Sequence, residues 1–143
     1  MNFRALSFHQ PWAWLVASGV KRVENRSRPP VGLLDQWIAL HAAKHYDDAA
    51  AEYIRQQGVD LPTASRVGGA VIGVFCVDSY VADEDLFRRP DTLPADQRRW
   101  YFGPYGWCVR ARLLPTPVPT RGQQMVWRLD EATSEAIFRQ GVI

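Results

Sequence analysis

Cysteine, histidine and long apolar runs are all scarce in this chain of 143 residues. Its two cysteines, Cys76 and Cys108, lie within apolar segments and not at metal-ligand spacing, which favours a reduced protein over a disulfide-linked secreted one. No apolar run approaches the roughly 20 residues that a membrane-spanning helix requires, and no secretory signal segment is recognisable. We therefore expect a cytoplasmic protein with no membrane partner.

The chain also has no large excess of charge of either sign: it contains 17 Lys and Arg residues and 15 Asp and Glu residues, which gives a formal net charge of +2. A nearly neutral protein has no strong overall field to attract a polyanion, so any nucleic-acid site must be local. The sequence also lacks a glycine-rich phosphate loop, a dinucleotide fingerprint and a nucleophile elbow. The histidines are few and isolated, and we expect neither a metal nor an organic cofactor.

The composition, with 47% hydrophobic residues, suits one globular domain over residues 1–143. Apolar periodicity and capping residues predict strands at 5–8, 21–26, 36–42, 70–78, 105–113 and 125–129, and helices at 11–19, 48–57 and 130–140. Residues 82–103 are predicted to form a long loop with one helical turn at most. Such uneven connections exclude a doubly wound parallel sheet and favour an α+β fold, a small mixed or closed β-barrel with flanking helices.

The most unusual segment is the predicted strand at 21–26, which is densely charged. Strand alternation predicts that Arg22, Glu24 and Arg26 share one face, with Glu24 between two arginines. A solvated, ion-paired strand face is the common outcome for such a pattern. A charged binding site is the alternative.

Three residues of the preceding segment are candidate ligand contacts or structural residues. Gln10 offers an amide that can bind a base edge, or it caps the first helix. Trp12 is predicted to join the core, whereas Trp14 either covers the barrel or forms a platform on which a base stacks.

Lys21 has two possible roles that depend on Glu24. If the two side chains pair, Lys21 is a cationic donor suited to a carbonyl oxygen or a phosphate. If Lys21 is buried away from Glu24, it can act as a base or an amine nucleophile. We predict that Gln10, Lys21, Glu24 and His41 line one concave site beside the first helix, and that residues 82–99 border it.

The order of several short motifs resembles the ASCH domain family. They are Leu6-Ser7-Phe8, Gln10-Pro11-Trp12-Ala13, Gly19-Val20-Lys21 with Glu24 and Arg26, Ile38-Ala39-Leu40-His41-Ala42-Ala43-Lys44, Gly69-Ala70-Val71-Ile72-Gly73, Gly103-Pro104-Tyr105-Gly106-Trp107 and Arg121-Gly122-Gln123-Gln124. The resemblance spans nearly the whole chain. It implies a PUA-like fold, in which a small β-barrel carries helices beside a cleft, and the binding of RNA or modified nucleosides.

One branch of that family hydrolyses the acetyl amide of acetylcytidine with a lysine that corresponds to Lys21, a threonine three residues later and a more distant glutamate. In this chain Glu24 stands at the threonine position. Two hypotheses about the function follow.

The first hypothesis is a module that binds single-stranded RNA or a modified nucleoside. Its candidate contacts are Gln10, Trp14, Lys21, Glu24, Arg26 and His41, with Lys21, Arg22, Arg26 and Arg28 near the phosphates. The second is an amidohydrolase acting on an acylated pyrimidine nucleoside through Lys21 and Glu24. We favour the first, because near-neutral charge suits a small ligand or a short, specific RNA element.

Overall fold

A computed structural model describes residues 2–143, in which four α-helices flank one mixed β-sheet. The strands are β1 (Arg4–Gln10), β2 (Val23–Arg26), β3 (Trp37–Tyr46), β4 (Ala70–Ala82), β5 (Tyr105–Pro119) and β6 (Trp127–Arg128). The helices are α1 (Trp12–Ala17), α2 (Asp48–Gln56), α3 (Asp83–Arg88) and α4 (Glu131–Phe138), with 3-10 turns at Thr63–Arg66, Pro90–Thr92 and Ala95–Trp100. The predicted α+β class is confirmed.

The strands follow the order β2-β5-β4-β3-β1-β6, in which only β1 and β3 run parallel. Backbone hydrogen bonds do not close this sheet, because β2 and β6 are its two edges, so of the two predicted forms, mixed or closed, the mixed one is observed. The sheet nevertheless curls. It brings β2 close to β1, so that the Arg26 guanidinium on β2 donates a hydrogen bond of 3.2 Å to the Ser7 carbonyl on β1. No backbone hydrogen bonds join these two strands, and a gap remains between them.

The apolar run at 70–78 predicted a strand, and the corresponding strand β4 lies in the middle of the sheet. It pairs with β3 and β5, and residues 70–77 are buried. Phe75 belongs to an apolar cluster with Val16 of α1 on one face, and Val74 to a cluster with Ile137 of α4 on the other. Successive side chains of a strand point to opposite faces, so β4 contributes to both cores.

The capping residues correctly located two helices. Asp47 accepts a hydrogen bond of 2.9 Å from the Ala50 amide at the start of α2, and Asp130 accepts one of 2.7 Å from the Thr133 amide at the start of α4. Gly58 follows α2 with a φ of 82°, a value that glycine adopts without strain. Within residues 2–143, no helix is long and apolar enough to cross a membrane.

The chain between β4 and β5, which we call the long connection, is more ordered than predicted. It contains α3 and two of the 3-10 turns, and the Asp85 carboxylate accepts a hydrogen bond of 2.8 Å from the Ala82 amide at the start of α3. Leu93 and Trp100 are buried in an apolar cluster with Leu15 of α1. Tertiary packing therefore fixes a segment whose sequence shows little periodicity.

The last part of the sheet differs from the prediction in the lengths of its strands. β5 continues through the proline-rich residues 114–119, beyond the predicted end of this strand at residue 113. Pro115 and Pro117 are tolerated because they fall where the pairing register with β4 shifts, between Leu113 and Val118, so the ladder loses no donor there. β6 has two residues, where five had been predicted.

Candidate functional site

A cavity of about 320 Å³ opens at the gap between β1 and β2, beside α1, and we call it the β1–β2 cleft. Residues 7–9 of β1 form one wall, and residues 24–26 of β2 form the other. Trp12 at the start of α1, Lys21 before β2 and Phe102 from the long connection complete the lining. The unpaired edge of the curled sheet thus creates the site.

Three charged side chains form the base of the β1–β2 cleft, and we call them the charged floor. The Lys21 ammonium lies 3.0 Å from Glu24 Oε1, and the Arg26 guanidinium lies 2.9 Å from Glu24 Oε2. Lys21 is 2% exposed and Glu24 is 8% exposed, so the pair is largely removed from water. Buried charges persist when they are paired and hydrogen-bonded, and each carboxylate oxygen here binds one cation.

Arg26 also connects the two walls of the cleft. Its guanidinium bonds the Ser7 carbonyl and lies 4.9 Å from the ring centroid of Phe8, both on β1. A guanidinium has several donors in a rigid plane and can stack on an aromatic ring at the same time. Arg26 therefore holds β1 and β2 at a fixed separation without filling the space between them.

Phe102 reaches the cleft because Asn25 holds the long connection against β2. The Asn25 amide donates a hydrogen bond of 2.9 Å to the Trp100 carbonyl and accepts bonds of 2.7 and 3.1 Å from the Phe102 and Gly103 amides. Phe102 remains 56% exposed. Neither residue was among the predicted contacts, and the one sequence signal for Phe102 is the aromatic run at 100–102.

Trp12 was predicted to join the core but lines the cleft, whereas Trp14 takes the first of its two predicted roles and covers the core. Trp12 lines the cleft, where its ring lies 5.2 Å from the Lys21 ammonium and 5.9 Å from the Phe102 ring. Trp14 does not line it and packs between two apolar clusters. Both faces of α1 are covered, by the sheet and by the long connection, so helical periodicity alone could not identify the tryptophan that faces the cavity. We call Trp12 and Phe102 the aromatic rim.

Gln10 lies beneath α1 and does not line the cleft, contrary to prediction. It is 1% exposed. Its amide donates a hydrogen bond of 2.9 Å to the Val67 carbonyl and accepts one of 2.9 Å from the Trp14 amide in the first turn of the helix. The alternative role, capping α1, is the one that the geometry supports.

His41 is also absent from the lining of the cleft, although it lies directly behind Ser7. Its Nε2 is 2.8 Å from the Thr120 carbonyl, which can only accept, so Nδ1 accepts the hydrogen bond of 2.9 Å from the Ser7 hydroxyl. Burial lowers the pKa of His41, and the neutral ring suits these partners. Gly122 covers the pair so closely that a Cβ there would lie 2.6 Å from the imidazole.

The other predicted basic contacts lie outside the cleft. Arg22 is exposed and pairs with Asp96 at 3.3 Å, and exposed Arg28 does not line the cavity. Residues 82–99 do not line it either, since Phe102 alone represents the long connection. Of the six predicted ligand contacts, the structure brings together Lys21, Glu24 and Arg26.

A metal site was not expected, and the described part of the chain contains no group of three or more His, Cys, Asp or Glu side chains that could hold a metal ion. Cys76 is buried and Cys108 is half-buried, and both are free thiols.

Comparison with known proteins gives both relatives and a shared fold. The chain is 29% identical over 133 residues to human Activating signal cointegrator 1 and 28% identical to the mouse protein. Each alignment covers 87% of this chain but 22% of the relative, so the chain spans about a fifth of the length of the curated relatives that it matches.

Crystal structures of two mutants of ZmASCH from Zymomonas mobilis have the same fold. Their TM-scores are 0.55 and 0.54, each at 18% sequence identity. The first alignment covers 97% of this chain and 98% of that chain, and the second covers 95% and 94%. The model of the ASCH domain matches residues 6–97, which include both walls of the cleft and the charged floor, and this chain therefore belongs to the ASCH domain family.

Proposed function

We propose that this protein binds single-stranded RNA or a modified nucleoside by taking one base into the β1–β2 cleft. The observation that carries the proposal is the combination of a buried charged floor with an aromatic rim in one cavity. Its volume of about 320 Å³ is at the lower end of the roughly 300–1,000 Å³ typical of small-molecule pockets. A single nucleotide unit is a ligand of suitable size.

The aromatic rim supplies a surface for stacking. Phe102 is 56% exposed, and its ring meets Trp12 edge-to-face at an interplanar angle of 64°, so a base stacks against the rim instead of between the two rings. Stacking of one base on an aromatic side chain contributes about 1–3 kcal/mol and tolerates different bases. This contact accounts for affinity without sequence specificity.

The charged floor supplies the polar contact. Glu24 pairs with Lys21, which matches the condition under which Lys21 acts as a cationic donor. Its ammonium has three donor hydrogens, and one hydrogen bond, to Glu24, involves it within residues 2–143. The remaining hydrogens suit an acceptor on the ligand, either a carbonyl oxygen or a phosphate.

Amide hydrolysis of an acylated pyrimidine nucleoside is the second candidate function. One observation favours it: the Lys21 ammonium and the Glu24 carboxylate are adjacent at 3.0 Å in a cavity. Both oxygens of Glu24 already bind cations, however, which leaves this carboxylate poorly placed to accept a proton from water. The binding function does not require Glu24 to accept a proton.

The test is to incubate the protein with a panel of nucleosides that includes acetylcytidine and with short single-stranded RNA, and to measure both affinity and product formation. Binding without turnover supports the binding module. Stoichiometric binding followed by release of acetate supports the hydrolase, and failure of every ligand to bind contradicts both.

A matched pair of variants locates the binding site in the same assay. Phe102→Ala removes the exposed ring of the rim, and Phe87→Ala removes a ring from α3 that is 87% exposed and lies outside the cleft. We expect Phe102→Ala to weaken binding about tenfold or more, and Phe87→Ala to leave it unchanged. Equal effects of the two variants would place the ligand elsewhere.

A further inference from the structure

The side chains that line the β1–β2 cleft carry more positive than negative charge. Lys21 and Arg26 share one carboxylate, Glu24, and no second carboxylate is among the lining residues in the described chain. The lining therefore carries one positive charge in excess when His9 is neutral. A charge in a largely buried site is costly unless a counter-charge approaches it.

The hydrogen-bonding capacity that remains on the floor is mostly that of donors. Glu24 accepts from Lys21 through Oε1 and from Arg26 through Oε2, and the Asn25 amide is committed to the long connection. Lys21 keeps two donor hydrogens, and Arg26 Nη1 takes part in no hydrogen bond within residues 2–143. Free donors therefore outnumber free acceptors on this floor, and a ligand group that accepts hydrogen bonds matches it best.

From these two observations we propose that the floor of the cleft binds a phosphate, so that the ligand is a nucleotide unit and not a neutral nucleoside. A phosphate is anionic and presents several acceptor oxygens, which meets the excess charge and the excess of donors together. The base of the same unit stacks on the aromatic rim. This inference rests on the proposed binding function and narrows its ligand.

The phosphate has two possible sources with the same chemistry, the terminal monoester of a mononucleotide and the internal diester of an RNA strand. Titration of the unmodified protein separates them, with uridine, uridine 5′-monophosphate, an oligouridylate that lacks terminal phosphates and inorganic phosphate as probes. If only the monophosphate binds more tightly than uridine, the phosphate is the monoester. If the oligonucleotide binds at least as tightly as the monophosphate, the phosphate is the diester.

The expected result is that a phosphate-bearing probe binds at least about tenfold more tightly than uridine. Inorganic phosphate should compete with that probe, and raising the salt concentration from about 50 mM to about 500 mM should reduce the difference. Equal affinities of uridine and both phosphate-bearing probes would overturn the inference but leave the binding function standing. Failure of all the nucleoside and nucleotide probes to bind would overturn both.

A matched pair of arginine variants assigns the effect to the floor. Arg26→Gln removes a cation from the cleft, and Arg28→Gln removes the same charge from an exposed position outside it. Arg26→Gln should lower the affinity for the phosphate-bearing probe more than the affinity for uridine, so that most of the preference for phosphate is lost, and Arg28→Gln should keep the preference. Arg26→Gln with its full preference retained would overturn the inference. If Arg26→Gln does not fold, the ligand series on the unmodified protein gives the decision.

Discussion

Lys21 and Glu24 are joined by an ion pair of 3.0 Å that closes the turn between α1 and β2 and at the same time forms the floor of the cleft. The pair is three residues apart in sequence, and Arg26 completes it from the next position on the same face of β2. One carboxylate thus organises two cations. The structure and the proposed binding chemistry therefore depend on the same residue.

Glu24→Gln should be strongly destabilising, because it leaves two cations close together without their carboxylate. Breaking a buried ion pair by removing one partner costs about 3–5 kcal/mol of the free energy of unfolding. The control is Glu84→Gln, which breaks a pair with Arg88 whose side chains are 69% and 72% exposed and should cost less than about 1 kcal/mol. Denaturant unfolding of both variants measures the difference, and a Glu24→Gln protein as stable as the control would show that the pair contributes little.

Lys21→Arg should keep ligand affinity within about tenfold, because the charge and the donor capacity survive the change. A larger side chain in this buried position is expected to cost about 1–3 kcal/mol of stability. Lys44→Met, at the other lysine of the chain, is the control for loss of charge at an exposed position, and Lys21→Met should lose most of the affinity. If Lys21→Arg abolished a measurable hydrolysis of acetylcytidine while it preserved binding, the hydrolase hypothesis would prevail.

Asn25→Ala should release the part of the long connection that carries Phe102. It removes one donor and two acceptor interactions, which together are expected to cost about 1–3 kcal/mol. Amide hydrogen exchange at residues 100–103 should accelerate, and ligand affinity should fall even though the Phe102 ring is still present. Asn2→Ala is the control, because Asn2 lines a different cavity and not the cleft. Unchanged exchange at 100–103 would mean that packing alone holds this segment.

The stability of the protein should fall as the pH decreases below about 6.5, the usual pKa of histidine, because burial lowers the pKa of His41 in the folded state. The unfolded chain then binds a proton that the folded chain does not, so the stabilisation is complete above this pH and is lost towards the pKa of the folded state. Melting temperatures from about pH 8 to about pH 5 should decrease less in His41→Gln than in the unmodified protein. His45→Gln, at an exposed histidine, should behave like the unmodified protein, and identical slopes for all three would contradict the assignment.

The parts of the fold that could be predicted are those whose cause is local. Asp47 and the alanine-rich segment after it specify α2, and the β-branched run at 70–78 specifies the central strand. Alternation along β2 placed Glu24 and Arg26 on one face, as observed. Alternation did not place Lys21, because Lys21 precedes the strand. It also placed Arg22 beside Glu24, whereas Arg22 pairs with Asp96 in the structure.

The parts that could not be predicted depend on contacts between distant segments. Asn25 donates a hydrogen bond to the carbonyl of Trp100, which lies 75 positions further along the chain. No local sequence pattern predicts that Phe102 lies next to β2. The choice between Trp12 and Trp14 likewise depends on which side of α1 the long connection covers. Gln10 and His41 bear the functional groups that a binding site would use, but their partners, Val67 and Thr120, come from elsewhere in the sequence.

The most direct test of the account is photo-crosslinking of the protein to a short oligouridylate, followed by mass spectrometry of the modified peptide. The crosslink is expected on Trp12 or Phe102, the aromatic rim of the β1–β2 cleft, and an excess of inorganic phosphate should reduce its yield. A second cavity, between α4 and the start of β3, contains another aromatic surface at Trp37. A crosslink at Trp37 with none at the rim would contradict the claim that the β1–β2 cleft is the binding site.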